Sequence, residues 1–330
     1  MVNEAVEKLR DKDFIETKDG FYQVIGYIHT KESIIAIPRY IKVDYATYWY
    51  KEGCFYKRAL HSYSSSAVEE AIKEYSERYL KFNLFYGTKV PEIPYNEIRK
   101  IYYTNNYERY VKKDILYKRF LEILDLFSKE TNIGKNNFGL TSTMLIGLSN
   151  PIVSDIDIVV YGFSNVLAIK EFIKNTKSVS KFTEYDLDYE SKIRKVDKNF
   201  LKKIIERKWN RIIYKNREAS INPVKSFEEI RASEEIIKCE NISPIEKILE
   251  VVHAKNPFYF PLEYKVNCED SEIEELAIFN DFFIDCLEKG DILRVKGLLQ
   301  RVHTKERTYY RIAFGVREIH DQIISLISSK

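Results

Sequence analysis

Glutamine occurs only at Gln23, Gln300 and Gln322, and methionine only at Met1 and Met144, in a chain of 330 residues rich in lysine, glutamate, isoleucine and tyrosine. That bias is known from hyperthermophile proteins; an AT-rich genome favouring Lys, Ile, Tyr and Asn codons gives much the same composition. Cys54, Cys239, Cys268 and Cys286 lie far apart, without CxxC spacing or a nearby ligand to complete a zinc site, and read as separate buried thiols. The histidines His29, His61, His253, His303 and His320 are scattered, none at metal-ligand or triad spacing. No apolar run is long enough to span a bilayer, and the stretch Met1 to Asp19 is charged and lacks the core of a secretory signal. A soluble, cytoplasmic protein with no membrane partner is expected. Nor is one sign of charge in excess: 53 Lys and Arg against 50 Asp and Glu leave a net +3, too little to imply bulk nucleic-acid binding.

A chain of this length favours two or three domains over one. From Phe14 to Lys42, short runs rich in Ile, Val and Tyr, broken at Asp19-Gly20 and Thr30 to Ser33, read as a β-hairpin or meander. Ser66 to Lys81 sets Val68, Ile72, Tyr75 and Tyr79 on one face of an amphipathic helix, after which Pro91 and Pro94 interrupt the pattern. Lys112 to Glu130 is helical by the spacing of Ile115, Leu116, Phe120, Ile123 and Phe127. Phe138 to Leu140 is a strand candidate, Met144 to Leu148 a short helix, and the β-branched run Ile156 to Tyr161 a buried strand. Helices over Val166 to Asn175 and Asp197 to Trp209 and a strand over Ala219 to Val224 follow. Beyond Lys238, strands at Ile245 to Ala254, Phe258 to Val266, Ile292 to Val302 and Tyr309 to Val316 suggest a small antiparallel barrel. The expected fold is α+β: an N-terminal α+β region (1–95), a central mixed sheet flanked by helices (96–237) and a C-terminal β-rich, barrel-like domain (238–330).

One stretch carries chemistry. In Asp155-Ile156-Asp157 the period of a strand sends both carboxylates to one face. Two adjacent carboxylates repel unless a cation separates them, and magnesium takes oxygen ligands of this kind, with phosphate oxygens and waters completing the octahedron. Upstream, Thr141-Ser142-Thr143 is a small-residue turn before a short helix, where backbone N–H groups and hydroxyls can hold a phosphate. Taken singly, an Asp-x-Asp is usually coincidence and a Thr/Ser turn an ordinary helix cap. In this order and spacing they can face each other across a nucleoside triphosphate.

From Phe138 to Gly162 the chain resembles the site of the DNA polymerase β-type nucleotidyltransferase superfamily, a Gly-Ser turn followed by two aspartates alternating with apolar residues on the next strand. Phe138-Gly139-Leu140-Thr141, Gly147-Leu148, Asn150-Pro151 and Ser154-Asp155-Ile156-Asp157 are similar to an archaeal family of predicted nucleotidyltransferases, as are Asp13 to Gly20, Gly290-Asp291 and Val295-Lys296-Gly297. The resemblance implies a nucleotidyltransferase-like central domain with Asp155 and Asp157 as catalytic, metal-binding residues. It implies magnesium or manganese as cofactor, and Gly139, Thr141, Ser142 and Thr143 against the phosphates of a nucleoside triphosphate. The acceptor of the nucleotidyl group is a nucleic acid, a protein or another hydroxyl.

Two departures stand against that pattern. Ser142-Thr143 occupies the place of Gly-Ser, and a Cβ at Ser142 hinders close backbone approach to phosphate. The superfamily also uses a third carboxylate on a later strand, whereas Ala219 to Val224 carries Asn222, with Glu218 only at its edge. A non-catalytic protein binding a nucleotide, nucleic acid or protein is therefore the competing expectation.

Other features have ordinary explanations beside functional ones. Lys202, Lys203, Arg207, Lys208 and Arg211 fall near one helical face, a weak nucleic-acid contact at Lys203, Arg207 and Arg211 or simply a solvated surface. Tyr102, Tyr103, Tyr107 and Tyr110 can stack bases but more commonly pack a core. Lys296, Arg301, Arg307 and Arg311 around Gly297 would suit an oligonucleotide-binding barrel, or an architectural one.

Overall fold

The computed structural model describes residues 9–62, 64–194, 196–232, 236–269 and 272–329; residues 1–8 of the charged N-terminal stretch lie outside the described residues. The fold is α+β, and its strands form three sheets among these residues. The first contains β1 (Phe14–Glu16), β2 (Gly20–Val24), β3 (Ser33–Val43), β4 (Trp49–Lys51), β5 (Cys54–Arg58), β6 (Leu80–Asn83), β7 (Thr88–Pro94) and β8 (Lys100–Tyr102). Their order is β4-β5-β3-β2-β1-β8, with the β6–β7 hairpin joined to the start of β3 through β7. The meander read over Phe14 to Lys42 is β1 to β3. Gly20, at φ +151°, begins β2 where a Cβ would fall 2.1 Å from the Tyr40 carbonyl, so the turn demands glycine. The helix expected over Ser66 to Lys81 is shorter, α1 (Ser65–Tyr75), started by the Ser64 hydroxyl accepting the Ala67 N–H. The residues after it turn at Ser76, and Leu80–Asn83 finds ladder partners in β7 instead of adding helical turns.

The central sheet is made of β9 (Phe138–Leu140), β10 (Ile156–Tyr161), β11 (Ser180–Lys181), β12 (Arg211–Tyr214) and β13 (Arg217–Val224), in the order β11-β12-β13-β10-β9. β10 runs parallel to β13 and antiparallel to β9. Around it lie α2 (Ile115–Thr131), α3 (Ser142–Leu145), α4 (Phe163–Asn175), α5 (Leu187–Arg194), α6 (Lys198–Arg207) and α7 (Phe227–Ala232). Alternation along β10 divides its work. Ile156, Ile158 and Val160 join the main core with Phe120 and Phe127 of α2 and Val166 and Ile169 of α4. Asp155, Asp157, Val159 and Tyr161 take the opposite face, where Tyr161 donates to the Thr104 hydroxyl at 2.7 Å.

The third sheet holds β14 (Ile236–Asn256), β15 (Leu262–Asn267), β16 (Ile273–Ile278), β17 (Ile292–Thr304), β18 (Thr308–Phe314) and β19 (Ile323–Ser328). Because β14 pairs with both β15 and β17, and β17 also with β18, the sheet curls into a half-barrel. The antiparallel pattern read from the sequence fails at one place, since β16 and β18 are parallel.

The segment Arg10-Asp11-Lys12-Asp13 is buried and ties these parts together. The Arg10 guanidinium lies 4.0 Å from the Tyr161 ring centroid, Asp11 accepts the Gly26 N–H, and the Lys12 ammonium meets Asp11 and Asp281. Asp13 accepts from the backbone and hydroxyl of Thr104, both at 2.7 Å, and from the Arg10 N–H.

Candidate active site

Asp155, immediately before β10, and Asp157 within it stand on the face turned away from α2 and α4. The Asp155 side chain opens to solvent, yet its carboxyl is pushed above the usual carboxylate range. Crowding by the surrounding chain is the main cause and the neighbouring Asp157 charge the second, against the pull of Arg211, Arg58 and Arg217. The charges of three arginines from separate strands thus act on Asp155. Arg217 donates to the Pro151 carbonyl at 2.9 Å, Arg58 lies 5.2 Å from the Trp49 ring centroid, and Arg211 lies 4.4 Å from that of Phe182.

Parallel pairing sets Ser220 level with Asp157. The Ser220 hydroxyl donates to Asp157 Oδ1 at 2.5 Å, and Asn222 Nδ2 donates to Ser220 Oγ at 2.8 Å and to the Ile158 carbonyl. Asn222, read from sequence as the place of a missing acid, therefore orients the serine that orients Asp157. Glu218 precedes the first paired residue of β13, Ala219, as Asp155 precedes Ile156, and it lies on the side of β13 shared by Ser220 and Asn222. Its carboxylate is held by Arg211, which starts β12 opposite Ser220 and reaches diagonally to Glu218. Among the described residues, no group of three or more His, Cys, Asp or Glu side chains could hold a metal ion. The donor set is the aspartate pair, which suits a hard cation that completes its shell with phosphate and water.

The residues expected to hold phosphate part company. A Cβ on Gly139 would lie 2.4 Å from the Tyr161 hydroxyl and 2.7 Å from the Thr104 carbonyl; its bareness serves packing of β9. The Thr141 hydroxyl donates to the Lys12 carbonyl at 2.6 Å, so it is spent inside the fold. Ser142 has φ +59°, the left-handed region a glycine prefers. Thr143 is buried, and its carbonyl accepts the Leu148 N–H at 2.9 Å. The helix expected over Met144 to Leu148 sits slightly earlier, because Gly147 at φ +73° ends it.

The basic face at Lys203, Arg207 and Arg211 is dispersed. Arg207 bonds Asp291 and the Cys286 carbonyl, Lys208 is buried against the Phe282 carbonyl, and Arg211 belongs to a strand, since the helix stops at Arg207. Lys202 and Lys203, the latter paired with Glu206, remain on the helix surface as read. The barrel cations are engaged too: Lys296 with Asp321, Arg307 with Glu274, Arg301 with Tyr310, and Arg311 fully buried against Gln300. Sequence reasoning missed Arg58, Arg217 and Ser220, whose roles depend on pairing between distant strands. No protein-family model, curated protein or solved structure matches the chain.

Proposed function

We propose that the chain is a magnesium- or manganese-dependent nucleotidyltransferase that moves a nucleotidyl group from a nucleoside triphosphate to an acceptor hydroxyl. The observation carrying this reading is the placement of Asp155 and Asp157 two residues apart at the start of β10, with the charges of Arg58, Arg211 and Arg217 acting on Asp155. The nucleotidyltransferase-like arrangement of the central domain belongs to the same proposal. Asp155 and Asp157 would hold the metal, which supplies charge neutralisation at the phosphates and lowers the acceptor's pKa. Arg58, Arg211 and Arg217 would face the triphosphate, and Thr143 would offer its hydroxyl. Glu218, on the same side, would become the third carboxylate and proton acceptor once Arg211 turned from it to phosphate.

The left-handed backbone at Ser142 supports the cradle, since the turn keeps a conformation suited to glycine without having one. Ser142→Gly should relieve this strain and raise stability by up to about 1 kcal/mol, the residue's cost in the left-handed region less glycine's added chain entropy. It should also tighten triphosphate binding. Chemical unfolding and triphosphate titration of the variant measure both, and a less stable variant with unchanged affinity would remove the cradle from the mechanism.

The competing reading, a non-catalytic binding protein, is favoured by the engagement of Glu218 with Arg211. Magnesium with a non-hydrolysable triphosphate separates the metal site from bare fold. Ligand at a hundred times its Kd should stabilise the native chain by about 2.7 kcal/mol. An unmoved melting curve would sink the metal-site reading.

A further inference from the structure

Beside the candidate active site, a cavity of about 130 Å³ opens on the N-terminal sheet, lined by Lys18, Lys42, Lys51 and Arg99 with Glu16, Glu52, Cys54 and Tyr56 among its other walls. Four cations face two acids. The Glu16 carboxylate already accepts the Tyr102 hydroxyl at 2.6 Å, and that hydroxyl accepts from the Lys51 ammonium at 2.7 Å.

Most cations near the other candidate surfaces have acidic partners, as Lys296, Arg307 and Arg207 do. Lys18, Lys42, Lys51 and Arg99 form no ion pair among the described residues, although they converge on one cleft. Lys51 is half-buried with its ammonium 4.7 Å from the Tyr102 ring centroid, and its pKa is lowered because burial outweighs the pull of the Glu16 and Glu52 charges, with Lys100 and Lys112 adding repulsion. A desolvated cation without a carboxylate partner is a cost that an anion would offset. Position matters as well. The Lys51 stem passes within 3.8 Å of the Cβ position at Gly147, in the turn that ends α3, while Lys112 donates to the Ser149 carbonyl. The cleft therefore borders the loop between Thr143 and Asp155.

We propose that this cleft is a phosphate-binding subsite, in which Lys51 and Arg99, with Lys18 and Lys42, hold a phosphate group of the acceptor. That the phosphate belongs to an acceptor rests on the nucleotidyl-transfer reading; affinity for phosphate does not. The group is either a terminal phosphate or one in the backbone of a single-stranded nucleic acid.

The full chain is titrated with inorganic phosphate and with a single-stranded oligonucleotide, with and without a 5′-phosphate, over a salt series. The proteins are wild type, the double variant Lys42→Glu/Arg99→Glu, Lys51→Met, and the control Lys203→Glu. At least one of the three ligands should bind wild type, the double variant and Lys51→Met should weaken it by about tenfold or more, and the Lys203→Glu control should bind as wild type does. A terminal-phosphate ligand shows as binding that needs inorganic phosphate or the 5′-phosphate. A backbone ligand shows as equal binding of both oligonucleotides, with the slope of log K against log salt reduced by about 1.4 when two contacts are lost. Failure of wild type to bind any of the three, or unchanged binding in the double variant, would overturn the proposal. Intact phosphate binding in a wild type that ignores magnesium would leave the subsite standing and remove the transfer reading.

Discussion

Asp157→Asn should cut magnesium-dependent triphosphate turnover by a factor on the order of 10³ while leaving the fold intact, because a neutral amide replaces a charged ligand where the metal needs negative charge. The amide oxygen can still accept the Ser220 hydroxyl that now bonds Asp157 Oδ1, so the β10–β13 register has no reason to change. Stability should fall little or rise. Asp155 is held above its ordinary pKa, in part by the Asp157 charge. A carboxyl raised in this way loses stability as pH climbs through its folded pKa, and removing the neighbouring charge lessens that loss at neutral pH. Turnover with each ribo- and deoxyribonucleoside triphosphate, and melting temperature with and without magnesium, measure the two effects. Melting is the cleaner readout, since a nucleotide screen requires the right acceptor. Wild type that melts identically with magnesium, and a variant indistinguishable from it, would leave an α+β protein without a metal site.

The aspartate pair and its strand were legible in the sequence because both depend on local period: five β-branched or apolar residues flank Asp157 from Ile156 to Val160 and Tyr161, and the strand has those bounds. The β1 to β3 meander, α2 and α4 were legible for the same reason. What surrounds the aspartates was not, because it is set by pairing between residues far apart in the chain. Glu218 looked marginal at a strand edge, and only the parallel pairing of β13 with β10, which begins at Ile156 and Ala219, carries it to the end of the sheet where Asp155 lies. Thr141 looked like a phosphate ligand, but a segment more than a hundred residues earlier claims its hydroxyl through the Lys12 carbonyl. The hairpin β4–β5 was missed because its alternation is between tyrosine, tryptophan and charge rather than apolar and polar residues. β16 was missed for a related reason. It carries Glu275 into the interior, where Lys255 and Arg311 answer its charge, so the strand does not read as apolar on its inward side.

A buried carboxylate gives the protein an unusual acid response. Asp13 is almost fully buried and its pKa is raised from 3.8 to about 6, burial outweighing the Arg10 charge and the hydrogen bonds from Thr104 and the Arg10 backbone. Between these two pH values the folded chain keeps a proton that the unfolded chain has released. The stabilising contribution is therefore complete below the unfolded pKa and is lost as pH rises through the folded one. A gap of about two pH units corresponds to roughly 3 kcal/mol, a large share of the stability of a typical domain. Asp11, raised to about 6 mainly by burial beside Lys12, acts in the same direction. Urea unfolding between pH 4 and pH 7 should show Asp13→Asn with a flatter decline than wild type across this window. The amide can still accept from Thr104 through one oxygen, although its NH2 group then confronts the Arg10 N–H, so some loss of stability at every pH is expected. The diagnostic is the difference in slope rather than the offset. Parallel curves for the two proteins would mean that Asp13 is ionised in the folded state throughout, with Arg10 and Thr104 meeting the full cost of its burial.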